Sequence, residues 1–110
     1  MGAKLIRDKV PDGPWLDEGA KRFIRVVTDA DELLGLTMAK FFEEIGEVFS
    51  ATGEKERIEE LADLYATFES LVVRGGYTMD EVMVAHHAKL ETHGGFTKGL
   101  VWDRHKYLGE

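Results

Sequence analysis

The stretch FFEEIGEVFSATGEKERIEELADLY, residues 41–65, joins the end of one amphipathic segment to the start of another across a glycine. Upstream of that glycine, apolar residues recur at steps of three, four and seven, which is the spacing of one helical face. They are Leu34, Met38, Phe41, Ile45, Val48 and Phe49. We expect this first helix to begin at the cap pair Thr28 and Asp31 and to end at about Ala51, before Gly53.

Two further helices are predicted downstream. The second runs from about Lys55 to Val73 and ends at the glycine pair 75–76. Its apolar face consists of Ile58, Leu61, Tyr65, Phe68 and Val72. A capping box at residues 78–81 opens a third helix, which the glycine pair 94–95 ends. The short connection at Gly53 predicts that the first two helices form an antiparallel hairpin.

The two ends of the chain predict a small amount of sheet. The segment 23–27, FIRVV, is rich in β-branched residues, and the apolar tail 96–102 is its expected partner. The predicted fold is therefore mainly α: a helical hairpin plus a third helix, forming a bundle on dimerisation, with a two-stranded β element from the N-terminal arm and C-terminal tail. We expect residues 1–110 to form a single domain.

Composition and charge exclude several classes of partner. The chain has 21 acidic and 14 basic residues, a net charge of −7, so binding to nucleic acid or to an anionic membrane by simple electrostatics is not expected. There is no cysteine, no signal-peptide pattern at the basic start, and no apolar run of the length that spans a bilayer. We expect a cytoplasmic protein.

Carboxylates flank the apolar faces of the first two helices. At about 100° per residue, Glu44 and Glu47 lie on neighbouring positions beside the first apolar stripe, whereas Glu43 falls nearly opposite it and is expected to face solvent. The same count places Glu60 and Asp63 side by side on the second helix. If the hairpin turns these pairs toward each other, the repulsion between the four carboxylates favours a bound cation. Mg²⁺ together with a phosphate substrate is the ion that best suits this set of oxygen ligands. The alternative to a metal site is that the same carboxylates belong to ordinary solvent-exposed helix faces.

The arrangement of these residues resembles a known family. Glu43-Glu44-x-x-Glu47, a spacer, and Glu60-x-x-Asp63 are similar to the signature of the all-α nucleotide pyrophosphohydrolases, the MazG-like superfamily. KLIRDKVP at 4–11, EELAD at 59–63, and Lys89 with GGF at 94–96 resemble its small single-domain branch, the phosphoribosyl-ATP pyrophosphohydrolase-like proteins. The resemblance covers residues 3–103.

The resemblance implies an enzyme that hydrolyses a nucleoside triphosphate, or a phosphoribosyl-ATP-like anhydride, to a monophosphate and pyrophosphate. It implies that Mg²⁺, which Mn²⁺ can replace, is bound by Glu44, Glu47, Glu60 and Asp63. In such a mechanism the metal neutralises phosphate oxygens and activates water, and one carboxylate serves as general base. Lys89 is a further expected catalytic residue, and the candidates for binding substrate phosphate are Arg7, Lys9, Lys40 and Lys89. A role in nucleotide-pool house-cleaning is the broadest expectation.

Other interpretations remain open at this point. Adjacent His86 and His87 point to different helix faces and do not predict a zinc site. Buried packing is expected for Tyr65, whereas Trp15 and Trp102 could stack on a base. Because two long amphipathic faces make a thin core, we expect a homodimer or tetramer. A catalytically inactive helical dimer that serves as an interaction or regulatory module is the main alternative, and a metal buffer is a weaker one.

Overall fold

The regular elements of the chain are helical. The structure, a computed structural model, describes residues 2–107 and 109, which contain no strand. In chain order the elements are a 3₁₀ turn (Val10–Asp12), α1 (Glu18–Lys21), α2 (Ala30–Ser50), α3 (Glu54–Arg74), α4 (Met79–Thr92) and α5 (Arg104–Tyr107). They form two compact units, one up to Met79 and one from Asp80 onward. The prediction of a mainly helical chain is confirmed.

Helices α2 and α3 pack against each other within the first unit. Only residues 51–53 separate them, so the two helices run antiparallel, as predicted. Side chains hold this short connection in place: the Thr52 hydroxyl donates to Glu56 Oε2 at 3.0 Å, and Arg57 Nη2 donates to the Ala51 carbonyl at 3.0 Å. The N-terminal cap of α2 is Asp29, one residue after the expected Thr28, and its carboxylate accepts from the Glu32 amide at 2.8 Å.

The most deeply buried residues of α2 and α3 are mostly polar. The buried side chains of the two helices are Thr37 and Glu44 on α2 and Thr67 and Val72 on α3. Both threonine hydroxyls donate to carbonyls of their own helix, Thr37 to Leu33 at 2.8 Å and Thr67 to Asp63 at 2.9 Å. Each buried hydroxyl therefore has a hydrogen-bond partner.

Much of each apolar stripe lies away from this interface. Met38 and Phe49 of α2, and Ile58, Leu61 and Tyr65 of α3, are exposed, Phe49 to 87%. The expectation that Tyr65 is buried is therefore wrong. The other residues of each stripe are half-buried or buried, so the hairpin covers its stripes only in part and leaves an apolar surface exposed.

The predicted β element is absent from the described residues. The amides of Phe23 and Ile24 donate to the carbonyls of Ala20 and Lys21, at 3.0 and 3.1 Å, in the turn that follows α1. These groups are therefore not available for a strand ladder. In the tail, Gly99 has a φ of 67°, which interrupts an extended segment. An isolated two-stranded pair is also only marginally stable.

The glycine stops after α3 and α4 are confirmed. Gly76, with a φ of 89°, donates its amide to the Val73 carbonyl at 3.0 Å. Gly94, with a φ of 78°, donates to the Leu90 carbonyl at 3.1 Å. This left-handed conformation favours glycine over residues with a Cβ. None of the described helices combines the length and apolar character needed to span a bilayer.

Candidate metal centre

Three carboxylates meet where α2 and α3 face each other. Glu44 of α2 and Glu60 and Asp63 of α3 each place one oxygen so that the three atoms lie within 4.8 Å of one another. Oxygens that share a Mg²⁺ ion at about 2.1 Å are at most about 4.2 Å apart, so a movement of roughly 0.6 Å would bring the set into range. The hairpin therefore brings Glu44 to the predicted pair Glu60 and Asp63, but it does not bring Glu47 into the group.

Glu44 is the most deeply placed member of this set. Its residue is 5% exposed, and its Oε1 lies 3.2 Å from the ammonium of Lys40, one turn earlier on α2. Its Oε2 is buried and accepts no hydrogen bond from the described part of the chain. A buried carboxylate oxygen without a partner is unfavourable, because that atom has lost its hydrogen bonds to water and the ion pair with Lys40 reaches only the other oxygen. A cation bound between the helices would supply the missing partner.

The negative charge of the cluster affects the pKa of Glu60. Loss of solvation, followed by the negative charges of Glu44, Asp63 and Glu47, raises the pKa of Glu60 above its usual value. Each of these causes favours the neutral carboxylic acid. A divalent cation at the same place would reverse the balance, because it stabilises the ionised form of every carboxylate around it.

The N-terminal arm is attached to both helices beside the cluster. Lys4 Nζ lies 3.0 Å from Glu43 Oε1 on α2, and Arg7 Nη2 donates to Asp63 Oδ1 on α3 at 2.5 Å. The bond between Lys4 and Glu43 raises the pKa of the lysine and lowers the pKa of the carboxyl group. Glu43 is therefore half-buried and paired, and not the free solvent residue that its position on the helix predicted.

The carboxylates of this region outnumber its basic side chains. Its acidic side chains are Glu43, Glu44, Glu47, Glu60 and Asp63, and its basic side chains are Lys4, Arg7 and Lys40. Five carboxylates against three cations leave a charge of −2 when all are ionised. One divalent ion would neutralise that charge, so the residues present fit a Mg²⁺ ion.

The predicted site residues divide into those that the structure brings together and those that it does not. Glu47 is exposed and lies outside the group of three, although its charge acts on Glu60. Arg7 and Lys40 contact members of the cluster. Lys9 is exposed at the start of the 3₁₀ turn, and Lys89 is exposed on α4 in the second unit, so their roles stay predictions.

Two residues of the region, Lys4 and Glu43, were not among the predicted site residues. The sequence signal for Lys4 was its position three residues before Arg7 in the same basic block. Glu43 could not be found from the spacing, because its partner comes from the arm and not from a helix. The rings of His86 and His87 lie 5.6 Å apart on exposed positions, and the clusters that could hold a metal in residues 2–107 and 109 include neither.

Comparison with protein-family models, with curated proteins and with solved structures found no match for this chain.

Proposed function

We propose that Glu44, Glu60 and Asp63 bind Mg²⁺, and that the protein hydrolyses a nucleoside triphosphate or a phosphoribosyl-ATP-like anhydride to a monophosphate and pyrophosphate in nucleotide-pool house-cleaning. The observation that carries the proposal is the buried, unpartnered Oε2 of Glu44 within a group of three carboxylates from two helices. The resemblance to MazG-like pyrophosphohydrolases supplies the reaction.

The chain's own groups suit a phosphate substrate. When bound, Mg²⁺ supplies charge neutralisation at the phosphate oxygens and lowers the pKa of a coordinated water. Arg7 and Lys40 each contact one carboxylate of the cluster, so both cations lie beside the place where a phosphate chain would sit. Glu47, exposed one turn after Glu44 and outside the group of three, stays a proposed fourth ligand that the resemblance implies, and Lys89 remains a proposed catalytic residue.

The test is release of pyrophosphate from ribo- and deoxyribonucleoside triphosphates and from phosphoribosyl-ATP, with Mg²⁺ and with EDTA. We expect Mg²⁺-dependent release that Glu44→Gln and Asp63→Asn reduce by at least about 100-fold, the cost of losing about 2.7 kcal/mol of transition-state stabilisation. Glu59→Gln is the matched control, because Glu59 is an exposed acidic neighbour on α3 outside the cluster. Equal activity in all four proteins would contradict the proposal.

A second copy of the chain is the proposed cover for the apolar surface of the hairpin. The buried apolar side chains of the described residues are only Ala51 and Val72, whereas Phe42, Phe49 and Ile58 are more than 60% exposed. Exposed aromatic and aliphatic groups on one hairpin are typical of a surface that associates. We therefore propose a homodimer, or a tetramer built from it.

The same apolar surface favours the alternative function, a catalytically inactive dimer that acts as an interaction or regulatory module. Divalent-dependent turnover separates the two proposals. Metal binding without turnover would indicate a metal buffer, and a dimer with neither property would indicate the module.

A further inference from the structure

A groove separates the N-terminal arm from α2. Its volume is about 420 Å³, within the range of small-molecule sites. Leu5 of the arm and Leu36 and Ala39 of α2 give it an apolar part, and Lys4, Lys40 and Glu43 give it a charged part. The groove is thus lined by two kinds of surface, one apolar and one carrying two cations and one anion.

The charged part of the groove adjoins the metal centre. Lys40 lines the groove, and its ammonium lies 3.2 Å from Glu44 Oε1 and 3.7 Å from Glu43 Oε2. Lys4 holds the other oxygen of Glu43 at 3.0 Å. Glu43 is therefore neutralised between two lysines, and Lys40 connects the groove to the buried carboxylate of the cluster.

We propose that this groove is the nucleoside subsite of the enzyme. The base lies against Leu5, Leu36 and Ala39, and the phosphate chain passes Lys40 to reach the ion held by the three carboxylates. The inference rests on the proposed function, because it assumes a substrate with an anionic chain on one end. A nucleotide matches the sequence of apolar groove, lysine side chains and metal centre. Its base has apolar faces, and its phosphates require cations and a metal.

The position of the arm gives the proposal a structural consequence. Residues of the arm form one wall of the groove, and the ion pairs of Lys4 and Arg7 fix that wall to α2 and α3. The arm therefore contributes to nucleoside selection and the hairpin to metal binding. A substitution in the groove should weaken binding of the nucleoside part alone.

The test fills the groove with Ala39→Trp in the full chain. Ala39 is exposed on α2, so a large side chain is accommodated without a change in the hairpin interface. The probes, titrated by calorimetry with Mg²⁺, are the non-hydrolysable α,β-imido analogues of ATP and UTP and inorganic tripolyphosphate, which has no nucleoside. We expect the analogues to bind at least about tenfold more weakly, and Mg²⁺ and tripolyphosphate to bind as in the wild type.

Two further variants make the test specific. Leu36→Ala removes apolar wall without filling the groove, and we expect the same selective loss for the analogues. Ala85→Trp, at an exposed alanine of α4, is the control and should change none of the three affinities. Equal weakening of analogues and tripolyphosphate, no weakening at all, or failure of both analogues to bind the wild type would overturn the subsite.

The outcome for the subsite is distinguishable from the outcome for the proposed function. Analogue binding that Ala39→Trp abolishes, in a wild-type protein that releases no pyrophosphate, would support the subsite and reject the hydrolase. Pyrophosphate release that Ala39→Trp leaves unchanged, with unchanged analogue affinity, would support the hydrolase and reject the subsite.

Discussion

Arg7 Nη2 donates to Asp63 Oδ1 at 2.5 Å, and this bond joins the N-terminal arm to a residue of the candidate metal centre 56 positions later. The contact lies beside the three-carboxylate group, and no helical periodicity relates its two partners. It makes the arm part of the site. Attachment of the arm and the charge state of the cluster are therefore coupled through one carboxylate.

Arg7→Gln should loosen the arm with little effect on overall stability. The side chains of Arg7 and Asp63 are 61% and 39% exposed, and exposed pairs contribute about 0–1 kcal/mol to the free energy of unfolding. The Val10 amide, which donates to the Arg7 carbonyl at 3.1 Å, should exchange its hydrogen faster. Chemical denaturation and amide exchange measure the two effects.

The control for that substitution is Arg25→Gln, which breaks another arginine–carboxylate contact, Arg25 to Glu32 at 2.5 Å, away from the cluster. It should leave exchange at Val10 unchanged. An equal increase in both variants would contradict the proposed attachment, and a loss of more than about 2 kcal/mol in Arg7→Gln would contradict the small contribution expected of an exposed pair.

Magnesium should stabilise the folded chain through Glu44. An ion that binds only the folded state at a free concentration of 100 times its Kd adds about 2.7 kcal/mol to the free energy of unfolding. We expect Glu44→Gln to abolish this increase, because it removes the negative charge and replaces one carboxylate oxygen with an amide nitrogen that does not bind Mg²⁺. Thermal unfolding with Mg²⁺ and with EDTA measures the difference, and Glu59→Gln should behave as the wild type. A Mg²⁺ shift that persists in Glu44→Gln would remove Glu44 from the ligand set.

Glu60 should make the metal-free protein less stable as the pH rises. Because its pKa in the folded chain is raised, the folded state binds the proton more tightly than the unfolded state does. Stability is therefore lost as the pH increases from the ordinary range of a glutamic acid, near 4.5, through the raised value. In EDTA at pH 7, Glu60→Gln should have a higher Tm than the wild type, and the two should converge below about pH 4.5.

Mg²⁺ should reverse that comparison, since the wild type gains an ionised ligand that Glu60→Gln lacks. Scanning calorimetry at several pH values, with Glu59→Gln as the control, tests both statements. A Tm of Glu60→Gln below that of the wild type in EDTA at pH 7 would show that the carboxylates do not repel one another in the folded chain.

The sequence was sufficient for the parts of the fold that depend on local spacing. The hairpin follows from the short connection between two amphipathic segments, and the helix ends follow from the glycines. The convergence of Glu44, Glu60 and Asp63 follows from the helical rotation of about 100° per residue. The β element was not predictable in this way, because a strand needs a partner and the amides of Phe23 and Ile24 bond within a turn.

The remaining differences arise from tertiary contacts. Helical periodicity placed Glu43 in solvent, but Lys4 of the arm pairs with it. Periodicity also placed Tyr65 in the core, whereas the packing of the hairpin leaves Tyr65 56% exposed. A helical wheel identifies the apolar face of a helix but not which other surface covers it.

The exposed apolar face should bring two chains together, and Phe42→Glu tests this. Phe42 is 66% exposed on α2 and lies 6.2 Å, ring centre to ring centre, from Phe41. Burial of a phenylalanine contributes about 1.5–3 kcal/mol, and a two-fold interface loses that contribution twice while gaining two buried charges. We expect sedimentation equilibrium to show a wild-type dimer and a Phe42→Glu monomer, with Phe23→Glu in the arm remaining dimeric. A monomeric wild type would mean that another partner, or another part of the chain, covers this face.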